Sequence, residues 1–210
     1  MFKRFRLVTF TLSGTLAACG GAVPAPARNG IQFAELTAGP TPAAGNRIAY
    51  GSDSLQFGEL RLPSGRKRVP VIVLLHGGCW RAAYDMAHLA NAAHSLSRAD
   101  YATWTIEYRR VGNAGGGWPG TFADVAQGLD FTRQLANRFP RLDTTRIVIV
   151  GHSAGGQLAL WAASRKRDEK LDGIEVARAP IRVAGVLSLA GITDLRAYAS
   201  GPGSCNRSAL

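Results

Sequence analysis

The stretch Arg146-Ile-Val-Ile-Val-Gly-His-Ser-Ala-Gly-Gly156 decides how the chain reads. Residues 147–150 are β-branched and apolar without a break. Such a run suits a strand buried on both faces of a parallel sheet, because a half-exposed strand would alternate. Gly-His-Ser-Ala-Gly at 151–155 then fits a G-x-S-x-G turn from a strand into a helix, and Leu158, Leu160 and Trp161 supply that helix. A serine hydroxyl attacks poorly unless it is exposed beside a base. This turn exposes it. Gly151 and Gly155 remove side chains that would collide where strand and helix cross, and Ser153 stands above the sheet in strained geometry. Ala154 opens the helix, so its N–H points toward the serine with the positive end of the helix dipole. Ser153 is the candidate nucleophile and Ala154 a candidate oxyanion donor.

Outward from the turn, strand and helix alternate. Residues 69–75 form another continuous apolar run. Residues 47–51 and 55–62 read as an opening pair of strands. Residues 102–108 and 183–190 read as further strands. Met86, Leu89, Ala90, Ala93 and Leu96 fall at helical spacing, and Phe122, Val125, Leu129, Ala136 and Phe139 mark another helix. The expected fold class is α/β: a mostly parallel sheet with helices on both faces. His76-Gly77-Gly78-Cys79-Trp80 follows the run at 69–75. A glycine loop there lets backbone N–H groups approach a developing oxyanion, so Gly77 and Gly78 are the other candidate donors; a plain glycine turn is the structural alternative. His76 reads as a group that orients this loop rather than as a base. Trp80 reads equally as pocket wall or core.

Together the His-Gly-Gly-x-Trp element, Glu107-Tyr108-Arg109, Trp118-Pro119, Asp124 and Gly-His-Ser-Ala-Gly resemble the esterase/kynurenine-formamidase-like branch of the α/β-hydrolases, which overlaps feruloyl and acetyl esterase-like proteins. The resemblance covers roughly residues 47–195. It implies the α/β-hydrolase fold and hydrolysis of a small-molecule ester, or amide, through an acyl-enzyme, with acetylated or feruloylated carbohydrate as one substrate class. It also implies no metal and no organic cofactor.

The match breaks downstream. The hydrolase order is Ser, then Asp or Glu, then His, yet His76, His88, His94 and His152 all precede Ser153. Two explanations stand: a hydrolase truncated at its C-terminus and lacking its last strands, or a degenerate form that uses the fold for binding. Asp194 reads as a turn-forming or helix-capping residue, with the triad acid as the alternative. His152 is expected to be packed, since its side chain points opposite to that of Ser153.

The N-terminus carries its own message. Lys3, Arg4 and Arg6 precede a short uncharged run at 7–18 that ends Leu-Ala-Ala-Cys. The run is too short to span a bilayer and matches a cleaved export signal. The ending resembles the lipobox of bacterial lipoproteins, which implies lipidation of Cys19 and a protein held to a membrane through that lipid. Gly20 in place of Asp favours the outer membrane or cell surface over the inner membrane. Residues 19–46, rich in Ala, Pro and Gly, read as a tether to a domain at 47–210.

The remaining cysteines, Cys79 and Cys205, lie in loops at the same sheet edge. A disulfide that stiffens the oxyanion loop and two free thiols are both open. The formal charge of +11 falls by three when the signal is removed. The basic residues left are scattered and do not interleave with aromatics, which argues for a solvated surface and against a nucleic-acid partner. Gly112–Gly120 is not a phosphate loop, because no Gly-Lys-Ser/Thr follows. It reads as a loop beside the site, with Trp118 as a pocket-lining candidate. Arg109 and Arg110 read as solvated or ion-paired, with an acidic substrate group as the alternative.

Overall fold

The structure is a computed structural model and describes residues 40–167, 179–201 and 205. The expectations for the signal, Cys19 and most of the tether lie outside the described residues. Six strands form one sheet: β1 Asn46–Ala49, β2 Phe57–Arg61, β3 Val69–Leu75, β4 Ala102–Ile106, β5 Leu142–His152 and β6 Gly185–Leu189. Their order across the sheet is β1-β2-β4-β3-β5-β6. The pairs β4–β3, β3–β5 and β5–β6 are parallel, whereas β1–β2 and β2–β4 are antiparallel.

The α/β reading of the sequence therefore holds, with the opening pair as the antiparallel part. β5 starts well before the apolar run at 147–150, because Leu142 and Asp143 pair with Val69 and Pro70 before a register shift between Pro70 and Val71. The helix expected from Met86 onward is a 3-10 turn, Met86–Leu89, followed by α1, Ala90–Arg98. Asp85 caps that turn by accepting from the Ala87 N–H at 2.9 Å. The helix expected from Phe122 to Phe139 divides into α2, Gly120–Asp130, and α3, Thr132–Arg138.

Alternation along β3 distributes its side chains to two layers. Val71, Val73 and Leu75 join Trp104, Ile106, Ile147 and Ile149 in a large core with Val125, Leu129, Leu135 and Leu158 from α2, α3 and α4 (Ala154–Ser164). Ile72 and Leu74 join Ala93 of α1 on the other face. Full burial of each large side chain is worth about 1.5–3 kcal/mol. The sheet centre is thus the rigid base on which the β3 and β5 ends stand. Arg165, just past α4, makes a two-pronged ion pair with Asp130 at 2.9 and 3.2 Å, and Asp130 also accepts from the Ile181 N–H at 2.8 Å. This pins the far end of α4 and so fixes the direction of its first turn.

Candidate active site

Ser153 sits between β5 and α4 with φ 54° and ψ −120°. A side chain in this backbone region costs about 1–3 kcal/mol and needs support from its surroundings. Neighbouring elements supply that support. The Ser153 N–H donates to the Leu189 carbonyl of β6 at 2.8 Å, and its own carbonyl accepts from Gly156 N–H at 2.9 Å and Gln157 N–H at 3.2 Å. Gly155 allows the first turn of α4 to lie on the end of β3, where a Cβ would run into the carbonyls of Leu75 and His76. Ala154 is fully buried and begins the helix, so its N–H has no partner inside the helix.

The loop at 76–80 is laid against this turn. A Cβ on Gly77 would stand 2.7 Å from the His152 carbonyl and 3.1 Å from Cβ of Ser153. Only glycine permits that approach. Gly78, Cys79 and Trp80 then run with φ of 110°, 56° and 54°. Two non-glycine residues in the left-handed region need anchors, and the loop has several. Trp80 is buried in the core. The Val111 N–H donates to the Trp80 carbonyl at 2.8 Å and the Ala82 N–H to the Val111 carbonyl at 2.9 Å. Cys79 is joined to Cys205 by a disulfide with 5.1 Å between Cα atoms.

His76 anchors the start of the loop. It is fully buried, with Nδ1 2.8 Å from the Gly77 carbonyl and Nε2 3.0 Å from a Glu107 carboxylate oxygen. Its ring stacks on Tyr108 at 4.2 Å between centroids, and the Tyr108 hydroxyl donates to the His76 carbonyl at 2.6 Å. The same Glu107 oxygen accepts from Arg110 at 2.6 Å, while the other accepts from the Met86 N–H at 3.2 Å. Burial pushes the Glu107 carboxyl up. The hydrogen bond and charge of His76, the Arg110 charge and the Tyr108 N–H outweigh burial and hold it below the usual carboxylate value. These bonds make His76 an orienting group. The sequence does not mark Glu107 as its partner; the register that pairs Leu75 with Ile106 sets the next residue of each strand side by side.

A cavity of about 520 Å3 opens beside the turn, lined among others by Gly78, Cys79, Tyr84, His88, His152 and Ser153. His152, half-buried, forms part of this wall and meets His88 edge-on at 6.3 Å between centroids. Burial, followed by the neighbouring His76, lowers the pKa of His88. Tyr84 and His88 come from a segment without any motif, so sequence reasoning missed them. Trp118 does not line this cavity; it is 62% exposed and packs edge-on against Phe122. Its loop turns outward. Asp194 caps α5, Leu195–Ser200, by accepting from the Ala197 N–H at 2.9 Å. Arg109 is ion-paired with buried Asp124 at 2.6 Å and Arg110 with Glu107 at 2.6 Å. Among the described residues no group of three or more His, Cys, Asp or Glu could hold a metal ion, and no helix is long and apolar enough to cross a membrane.

This geometry has relatives. The chain is 26% identical to dipeptidyl peptidase family member 2 of Caenorhabditis elegans, over 73% of the chain and 20% of that protein. It is also 26% identical to the isoprenylcysteine alpha-carbonyl methylesterase ICME of Arabidopsis thaliana, over 69% of the chain and 33% of that protein. The chain thus spans a fifth to a third of the length of these curated relatives. Among solved structures, the acetyl ester-xyloside bifunctional hydrolase of Caldicellulosiruptor lactoaceticus shares the fold with a TM-score of 0.60 at 19% identity, over 79% of this chain and 63% of that one. The BD-FAE family profile matches residues 59–208, which contain the β3 loop, the Ser153 turn and both cysteines that stiffen the site. The chain belongs to the BD-FAE family of esterase-like α/β-hydrolases.

Proposed function

We propose that the protein is a serine hydrolase of small carboxylic esters, with esters of carbohydrate as the substrate class. Ser153 attacks the carbonyl carbon, and the N–H groups of Gly77, Gly78 and Ala154 hold the oxyanion. The observation that carries this reading is the close approach of Gly77 to the Ser153 turn, where an added Cβ would stand 3.1 Å from the Ser153 Cβ at the start of a helix. Donors fixed in advance at such a point are worth about 10²–10³ in rate each. The ester class draws on the methylesterase and acetyl ester hydrolase names among the relatives. The base in this reading is a histidine C-terminal to Ser153, by the order of the hydrolases. The test therefore uses the product of the complete gene on an activated acetate ester. Hydrolysis is expected, and Ser153→Ala is expected to lower it by at least about 10³-fold. Activity indifferent to that substitution would refute the reading.

The alternative reading is a surface lipoprotein that uses the same fold for binding and does not turn over. The same assay separates the two. In either case the protein is exported and held to a membrane by a lipid on Cys19. Mass spectrometry of the mature N-terminus should find a diacylglyceryl cysteine, and Cys19→Ser should release the protein into the soluble fraction.

A further inference from the structure

A trans peptide unit is planar, with its C=O and its N–H pointing in opposite directions. The direction of one residue's carbonyl therefore fixes the direction of the next residue's N–H. The unit that carries the Gly77 N–H ends in the His76 carbonyl, and the unit that carries the Gly78 N–H ends in the Gly77 carbonyl. Both units border a glycine, which lacks the Cβ that restrains backbone rotation. Half a turn of either unit would put a carbonyl where the N–H had been. A side chain holds each of them. The Tyr108 hydroxyl donates to the His76 carbonyl at 2.6 Å. Nδ1 of His76 lies 2.8 Å from the Gly77 carbonyl; a carbonyl only accepts, so that nitrogen is the donor.

Tyr108 is itself firmly placed. It is fully buried, and its ring lies within 10° of parallel to that of His76, 4.2 Å away. Its own N–H donates to the Glu107 carboxylate at 2.9 Å. Burial, followed by the Glu107 charge, pushes its phenol up, so the hydroxyl keeps its proton and stays a donor. It does not line the cavity beside Ser153, so any effect on the reaction must pass through the loop.

We propose that Tyr108 is a positioning residue for ester hydrolysis: by holding the His76 carbonyl it aims the Gly77 N–H at the oxyanion. The inference rests on the reading of Ser153 as nucleophile and Gly77 as donor. A donor turned off its aim holds the developing charge less well and leaves binding of the intact ester alone, so the loss falls on kcat.

The test compares two buried tyrosines. Tyr108→Phe keeps the stacked ring and removes one hydrogen bond. Tyr50→Phe removes a bond of the same kind and length, since the buried Tyr50 hydroxyl donates to the Glu107 carbonyl at 2.6 Å. The peptide unit held by Tyr50 carries the Tyr108 N–H, which is spent on Glu107 and not on an oxyanion. Both variants are made in the complete gene product and assayed on p-nitrophenyl acetate. Rates are counted per serine labelled to completion by a fluorophosphonate, so unfolded protein does not enter. Tyr108→Phe should lower kcat by about 10-fold or more with KM within about twofold, and Tyr50→Phe should leave both within about twofold. An unchanged kcat in Tyr108→Phe, a loss confined to KM, or equal losses of kcat in the two variants would overturn the positioning role. Ser153-dependent hydrolysis that Tyr108→Phe leaves untouched removes this role and keeps the proposed function. Absence of Ser153-dependent hydrolysis removes both.

Discussion

The loop at 76–80 and the loop at 111–119 leave neighbouring parallel strands, β3 and β4, at the same edge of the sheet, and both are rich in glycine. They differ in what holds them. The first is tied through His76 to Glu107, through Trp80 to the core and through Cys79 to Cys205, and Gly77 lies so close to the Ser153 turn that a Cβ would not fit. The second is joined to the first at Val111, which pairs with Trp80 and Ala82; apart from that the Arg110 N–H donates to the Asn113 side chain at 2.9 Å and the Gly117 N–H to Thr121 at 3.0 Å, and Trp118 is left mostly in solvent. Glycine content reports only that a backbone turns sharply. The anchors report which turn must keep its shape.

The contrast can be broken most directly at the glycines. Gly77→Ala should lower kcat/KM for an activated ester by about 100-fold or more in the complete gene product, because the added methyl displaces the loop from the serine. An effect within a few fold would mean that the loop is not held as described. Glu107→Gln comes next. It leaves His76 and Arg110 beside a neutral amide, and breaking such a buried pair costs about 3 kcal/mol, read by urea unfolding at pH 7. The pH dependence has a definite sign. Glu107 is held below its usual value, so its contribution is complete above about pH 4.3 and is lost as pH falls through the lowered value. The glutamine variant should lack that acid loss, so wild type and variant should converge as pH falls through the lowered value.

Replacing Cys79 and Cys205 together by serine should lower stability by about 2–4 kcal/mol. The loss should match that of the reduced wild type in the same melting experiment. The smallest effects belong to the other loop. Gly117→Ala places a methyl at a φ of 80° where only Val111 is near, at 3.4 Å, and should cost about 1 kcal/mol with little change in rate. Trp118→Ala should change stability by about 0.5 kcal/mol or less. A large loss of rate from either would place the second loop at the site after all.

Much of this was legible in the residues. The runs at 69–75 and 146–150 gave the sheet centre, because strands buried on both faces cannot hide their composition. The turn carrying Ser153 lies between strand and helix as its motif suggests, with Gly77 laid against it and Ala154 opening the helix. The cavity walls were not legible. Tyr84 and His88 arrive through a 3-10 turn whose only local mark is the Asp85 cap.

The strained backbone at Ser153 depends on parts of the chain that are far apart in sequence. Its N–H is held by Leu189, and the helix after it rests on the carbonyls of Leu75 and His76. The pentapeptide cannot keep this shape alone, so the geometry arrives only when β3, β5 and β6 have found one another. Such non-local parallel pairing is slow and leaves apolar strands open to aggregation meanwhile. Under the proposed reading, labelling of Ser153 by a fluorophosphonate in the complete gene product would serve as a clock for refolding, appearing with the last of the three strands rather than with the first secondary structure.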